Sequence, residues 1–207
     1  MIKAVLWDFG GVILSSPFEA FNRYETDKGI PLDRLRTVNA TNPHDNAWAR
    51  LERGDITAAE FDDAFGDESE ALGHRVPGAD VLALLSGEIR DDVVELLDEV
   101  KAAGYKTACL TNNIGGEHKS SERDSTIAEI MERFDVVVES SKVGVRKPEP
   151  SFYEMACRML EVQPHECIFL DDLGINLKPA AAIGMTTIKV ISGEQAIADL
   201  RNALGWS

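Results

Sequence analysis

Asp8, Thr111, Lys147 and the adjacent pair Asp171–Asp172 are the side chains of this sequence whose types, taken together, can do chemistry. Three of these positions end an apolar run: IKAVLW stops at Asp8, KTACL at Thr111-Asn112-Asn113, and CIFL at Asp171-Asp172. Lys147 lies in a basic segment, KVGVRKP. A carboxylate can act as a nucleophile, a hydroxyl and a fixed cation can hold phosphate oxygens, and further carboxylates can hold Mg²⁺; the set matches the tasks of phosphoryl transfer. Asn112 and Asn113 join it as candidates for substrate contact. Each position also has a bland account, since an Asp after a strand caps turns, Thr-Asn-Asn makes loops, and Lys-Pro starts helices.

Convergence of these residues requires a particular scaffold. The apolar, β-favouring runs at residues 2–7, 106–110, 134–138, 167–170 and 186–190 read as strands that end in turns. Helical patterns at residues 92–103, 121–133, 150–160, 177–183 and 194–204 alternate with them. Such alternation predicts an α/β fold with a doubly wound parallel sheet, in which ligands bind beyond the carboxyl ends of the strands. Residues 17–85 break the alternation: patterns at 18–28, 32–38, 46–53 and 58–72 are amphipathic helices with no convincing strand. The expected organisation is therefore a core of residues 1–16 and 86–207, with a small helical cap at 17–85 inserted after the first strand.

The chain has 207 residues, of which 44% are hydrophobic and 28% charged, the composition of a globular protein able to bury one core. A net charge of −15 argues against nucleic acid or an anionic membrane as partner and mostly reports solubility. Cys109, Cys157 and Cys167 form no C-x-x-C pair and read as buried thiols in a reducing compartment. The apolar run before Asp8 is too short for a signal segment, so a cytoplasmic location is expected. The acidic stretch 62–70 reads as a solvated helix face.

Several tempting patterns lack their context. Asp8-Phe9-Gly10 spells the kinase metal-binding tripeptide, but no nucleotide-binding lobe precedes it. Neither a G-x-G-x-x-G after the first strand nor a G-K-[ST] loop occurs, and His44, His74, His118 and His165 lack metal-ligand spacing. Trp48 reads as helix packing in preference to pocket lining, and Arg50 and Arg53 as a solvated face in preference to a substrate-anion site.

In order and spacing, WDFGGVIL, LTNN, GVRKPEPSFY and FLDDLGINLKPAAAIGM resemble the four motifs of the haloacid dehalogenase superfamily across most of the chain. The subgroup it is most similar to includes the N-terminal phosphatase domain of soluble epoxide hydrolase, a related domain in an acyl-CoA dehydrogenase family member, and bacterial sugar-phosphate phosphatases. The resemblance implies a Rossmann-like core in which Asp8 attacks the substrate and Thr111 and Lys147 hold the phosphoryl group. It also implies that Asp8, Asp171, Asp172 and the backbone carbonyl of Gly10 bind Mg²⁺, while the inserted helices cover the site and read a small-molecule substrate. Lys147 is expected to keep nearby carboxylates ionised.

One position departs from that pattern. Most phosphatases of the superfamily carry a second Asp two residues after the nucleophile, as general acid and base; here Gly10 stands there. Three readings follow. The chain is a phosphatase for substrates with good leaving groups, or one whose acid comes from the cap or the substrate. It is a metal-independent 2-haloacid dehalogenase, a reading opposed by the extra carboxylates at Asp171 and Asp172. Or it is a catalytically idle binding or regulatory module. The sequence leaves open whether the chain works as a monomer or a homodimer.

Overall fold

The computed structural model describes residues 1–85, 87–113 and 122–206. Five strands, β1 (Ala4–Trp7), β2 (Lys106–Thr111), β3 (Val136–Glu139), β4 (Cys167–Asp171) and β5 (Thr186–Lys189), form one sheet in the order β3-β2-β1-β4-β5. All four pairings are parallel, with Trp7 opposite Cys109 on one side and Leu170 on the other. Because β1 is central, its side chains are buried on both faces and point alternately into two apolar layers. Val5 and Trp7 join one layer with Val93, Leu97, Ile168 and Leu170; Ala4 and Leu6 join the other with Leu110, Phe152, Tyr153 and Phe169.

Between β1 and β2 the chain first forms α1 (Phe18–Lys28), α2 (Arg34–Ala40), α3 (Ala47–Arg53), α4 (Ala58–Ala71) and α5 (Gly78–Ala83). These helices bury an apolar cluster of their own, centred on Phe21, Leu35, Leu51, Phe61 and Phe65. Thr57 and Glu60 start α4 with a reciprocal capping box. Trp48 packs edge-on against Phe61, with ring centroids 5.3 Å apart. Arg53 pairs with Asp45 and Asp55 at the surface, and Asp63, Asp67 and Glu70 lie on the exposed face of α4. The short α5 escapes periodicity because it has only six residues. What defines it is close approach to α4, where a Cβ on Gly78 would meet Phe61 and Asp62 at 2.8 Å. The outgoing and returning segments pair where Leu14 and Ile89 form an antiparallel bridge, with the Ser15 N–H donating to the Glu88 carbonyl at 2.8 Å and the Arg90 N–H to the Ile13 carbonyl at 2.9 Å.

The remaining helices complete the core: α6 (Asp91–Ala102), α7 (Glu122–Glu132), α8 (Ser140–Val143), α9 (Pro150–Leu160), α10 (Gly174–Ala182) and α11 (Gly193–Leu204). Pro150 occupies the first turn of α9, where its missing N–H costs nothing. Helix α10 begins three residues before its apolar pattern does, because the Asp171 carboxylate accepts the Leu173 N–H at 2.7 Å and so organises the turn ahead of it. All three cysteines are buried and free. His118, and residue 121 at the expected start of one helix, lie outside the described residues; His44 and His165 are exposed. No helix among the described residues is long and apolar enough to cross a membrane.

Candidate active site

Parallel pairing brings the carboxyl ends of β1, β2 and β4 to one edge of the sheet, and with them Asp8, Thr111, Asp171 and Asp172. The Asp8 N–H donates to the Leu170 carbonyl at 2.8 Å, which carries the β1–β4 pairing one residue past the strand. Beyond Asp8 the chain makes one wide turn over residues 9–13 that leaves the sheet edge. Within it Gly11 has φ +82°, and a Cβ there would sit 2.3 Å from the Asp172 carboxyl carbon. Only glycine meets both demands. Gly10 is different: its φ of −71° suits any residue, it is exposed, and a Cβ there would touch nothing within 4 Å.

Lys147 enters from the loop between α8 and α9. Its ammonium lies 2.7 Å from Asp8 Oδ1 and 2.9 Å from Asp171 Oδ2, with a side-chain exposure of 1%. Asp8 Oδ1 also accepts the Phe9 N–H at 2.6 Å, while Asp8 Oδ2 has no hydrogen-bond partner among the described residues. Asp171 is held on all sides, by Lys147, by the Leu173 N–H and by the Asn176 amide at 3.0 and 3.1 Å. Asp172 is partly exposed and accepts the Ser16 hydroxyl at 3.0 Å. The Thr111 hydroxyl makes no hydrogen bond among the described residues.

Burial raises the Asp8 carboxyl well above its ordinary range; Lys147 pulls against this, while Asp171 and Asp172 add to it. Lys147 thus acts on Asp8 in the expected direction, against burial and like charge. One ammonium does not outweigh burial together with two further carboxylates. Burial also pushes the Lys147 ammonium down, but Asp171 and Asp8 more than offset it and hold it above its usual value. Asp172 is raised to about 6, by burial first and then by Asp171.

Oxygens of Asp8, Asp171 and Asp172 lie within 4.8 Å of one another. Three clustered carboxylates, two of them paired with one ammonium, form a hard-oxygen, electron-rich set, and this donor chemistry fits a divalent cation such as Mg²⁺.

Asn112 and Asn113, expected to face substrate, are engaged inside the fold. Asn112 Oδ1 accepts the Lys147 N–H and its Nδ2 donates to the Lys147 carbonyl, both at 2.9 Å. Asn113 donates to Glu139 and accepts from Ser141, which fixes the turn after β3. Four residues outside the expected set border the site. Ser16, Asn176 and Arg146 stand inside or beside the motifs and were within reach of sequence reasoning. Glu52, in α3, carries no sequence signal.

A family model described as haloacid dehalogenase-like hydrolase matches residues 2–184. The chain belongs to the haloacid dehalogenase-like hydrolases. Acyl-CoA dehydrogenase family member 10 of Mus musculus is 35% identical over 99% of this chain, which spans only 19% of that relative's length. Sesquiterpene phosphatase astK of Aspergillus oryzae is 28% identical over 98% of this chain and 97% of its own. (S)-2-haloacid dehalogenase 1 of a Pseudomonas species is 29% identical over 91% and 84% respectively. A crystal structure of a Bacteroides thetaiotaomicron family enzyme, solved in complex with magnesium and inorganic phosphate, shares the fold with TM-score 0.58 and 22% identity, covering 91% of this chain and 94% of that one.

Proposed function

We propose that this hydrolase is a Mg²⁺-dependent phosphatase acting on a small phosphate monoester, with Asp8 as its nucleophile. The observation that carries the reading is Lys147, whose ammonium bridges Asp8 and Asp171 beside the third carboxylate of Asp172. The unpartnered Asp8 Oδ2 attacks phosphorus, the P–O bond to the alcohol breaks, and a phospho-aspartate forms. Water then cleaves it, releasing inorganic phosphate and restoring Asp8. Thr111 donates its free hydroxyl to a phosphate oxygen, and Lys147 offers a positive charge where the transferred group spreads its negative charge. Asn112 and Asn113 position these groups from within the fold.

Asp8, Asp171, Asp172 and the Gly10 carbonyl would hold Mg²⁺, which when bound neutralises carboxylate and phosphate together so that one anion can approach another. Gly10 offers no proton to the leaving alcohol, so preferred substrates are those whose leaving group needs little help, such as anomeric or acyl phosphates. Residues 17–85 act as the cap over the core of residues 1–16 and 86–207, and the buried free thiols support a cytoplasmic setting.

The 29% identical dehalogenase and Gly10 favour one second reading, halide displacement at Asp8 without metal. Asp171 and Asp172 oppose it, because unneutralised carboxylates beside Asp8 repel a 2-haloacid anion. A turnover screen of sugar, acyl, lipid and nucleotide phosphates with Mg²⁺ or EDTA, using Asp8→Asn as the blank, tests the proposal. Phosphate release that needs both Mg²⁺ and Asp8 is expected. Unchanged release in Asp8→Asn sinks it, chloride release from 2-chloropropionate in EDTA supports the second reading, and no turnover of any compound supports an idle module.

A further inference from the structure

Lys147 is held in an unusual way for a residue so central to the site. Among the described residues both of its backbone hydrogen bonds are made with one side chain, that of Asn112, and none with a strand or helix. The same Asn112 Nδ2 also donates to Glu52 Oε2 at 3.2 Å. Glu52 belongs to α3, among the inserted helices, and its carboxylate forms an ion pair with Arg146, the residue immediately before Lys147. Its other oxygen accepts the Trp48 indole N–H at 2.9 Å, and Arg146 donates a second bond to the Pro43 carbonyl at 2.9 Å. The pair is enclosed, with side-chain exposures of 8% for Glu52 and 11% for Arg146. One carboxylate from the insertion thus holds the lysine segment on both sides, through Asn112 and through Arg146.

A buried ion pair is poor at adding stability, since apolar side chains of similar volume do as well; its distinctive contribution is direction. We propose that Glu52 is a positioning residue for Lys147, so that docking of the inserted helices, through Arg146 and Asn112, sets where the lysine ammonium stands between Asp8 and Asp171. This inference rests on the phosphatase reading for its catalytic consequence. Its structural half stands independently. The insertion then completes the phosphate-holding part of the site in addition to covering it.

The test uses the full chain with Mg²⁺, p-nitrophenyl phosphate as probe, NMR amide exchange at the Lys147 N–H, and thermal melting. Glu52→Gln is expected to lower kcat by about 10- to 100-fold, the scale of a misplaced catalytic group, and to speed exchange at Lys147. It should also lower the melting temperature, because Arg146 loses its counter-charge. The double variant Glu52→Gln/Arg146→Gln removes that unpaired charge and separates the two roles. Positioning predicts that the melting temperature recovers while kcat stays low and Lys147 exchange stays fast. Glu25→Gln is the control: Glu25 is another fully buried carboxylate of the insertion, spent on the Asp33 and Leu35 N–H groups, and should destabilise without altering Lys147 exchange. Recovery of kcat in step with melting temperature, or unaltered Lys147 exchange in Glu52→Gln, overturns the proposal. If the wild type releases no phosphate, the phosphatase reading fails, and the exchange measurement alone decides whether Glu52 holds Lys147.

Discussion

Two of the settings in which this molecule buries carboxylates differ sharply. In the inserted helices Glu25 has each oxygen engaged by a backbone N–H group at 2.7 Å, so it closes a turn. At the carboxyl edge of the sheet Asp8, Asp171 and Asp172 crowd together beside one ammonium, and one Asp8 oxygen has no hydrogen-bond partner among the described residues. Burial alone therefore says little about function. What marks the sheet edge is an excess of like charge kept at close quarters, an arrangement that packing would never favour and that a bound cation would relieve.

The strongest test of that contrast is Lys147→Met. Removing the shared cation should reduce phosphate release by about 10²–10³-fold, the scale of losing a transition-state charge partner, and melting should show the cost of leaving Asp171 without its counter-charge. Near-normal turnover would mean that the crowded edge is a structural device like Glu25. Phe61→Ala probes the other region. Truncating this fully buried ring should cost about 3–5 kcal/mol of stability by chemical unfolding, while turnover per folded molecule falls less than in Lys147→Met. A larger catalytic loss than for Lys147→Met would dissolve the distinction.

A change at Gly10 sharpens the contrast by adding what the edge lacks. Gly10→Asp has room and ordinary backbone angles, so it should fold and speed hydrolysis of simple alkyl phosphates by about 10²-fold, the lower end for a placed general acid. No gain in a folded variant would count against a missing acid as the limit on leaving groups. The smallest effect belongs to Asp135, at the opposite end of the sheet, where the carboxylate accepts the Thr107 N–H at 2.8 Å and pairs with Lys101. Although burial raises its pKa, the bonds from Lys101 and Thr107 outweigh it and hold the carboxyl below 3.8. A lowered acid contributes stability above its unfolded pKa and loses it as pH falls through the folded value. Asp135→Asn should thus cost about 0.5–1 kcal/mol at pH 7, a modest amount because the pair is exposed, and the gap to wild type should close in acid below pH 3.8. A gap that persists there would show that charge is not the cause.

How much of this was legible beforehand depended on sequence distance. Each strand leading to the site could be read because an apolar run ends at a polar residue, and that residue is the one proposed to act: Asp8 after Trp7, Thr111 after Leu110, Asp171 after Leu170. Helix α5 was illegible, since six residues show no period and their conformation depends on contact with Phe61. The fate of Asn112 and Asn113 was illegible too, because an amide at a strand end looks the same whether it meets substrate or clamps a backbone.

Alternation of strand and helix by itself determined the parallel sheet, and the residues at the strand ends determined which edge gathers the candidate groups, because side-chain period and turn chemistry are local properties of the chain. Tertiary structure alone decided the balance of charge among Asp8, Lys147, Asp171 and Asp172, since burial and like-charge proximity exist only after folding. It alone also decided that Glu52 reaches Asn112, sixty positions away in sequence, and through it the lysine. A contact across that distance leaves no period, spacing or composition in the sequence, and only packing of the inserted helices on the core creates it.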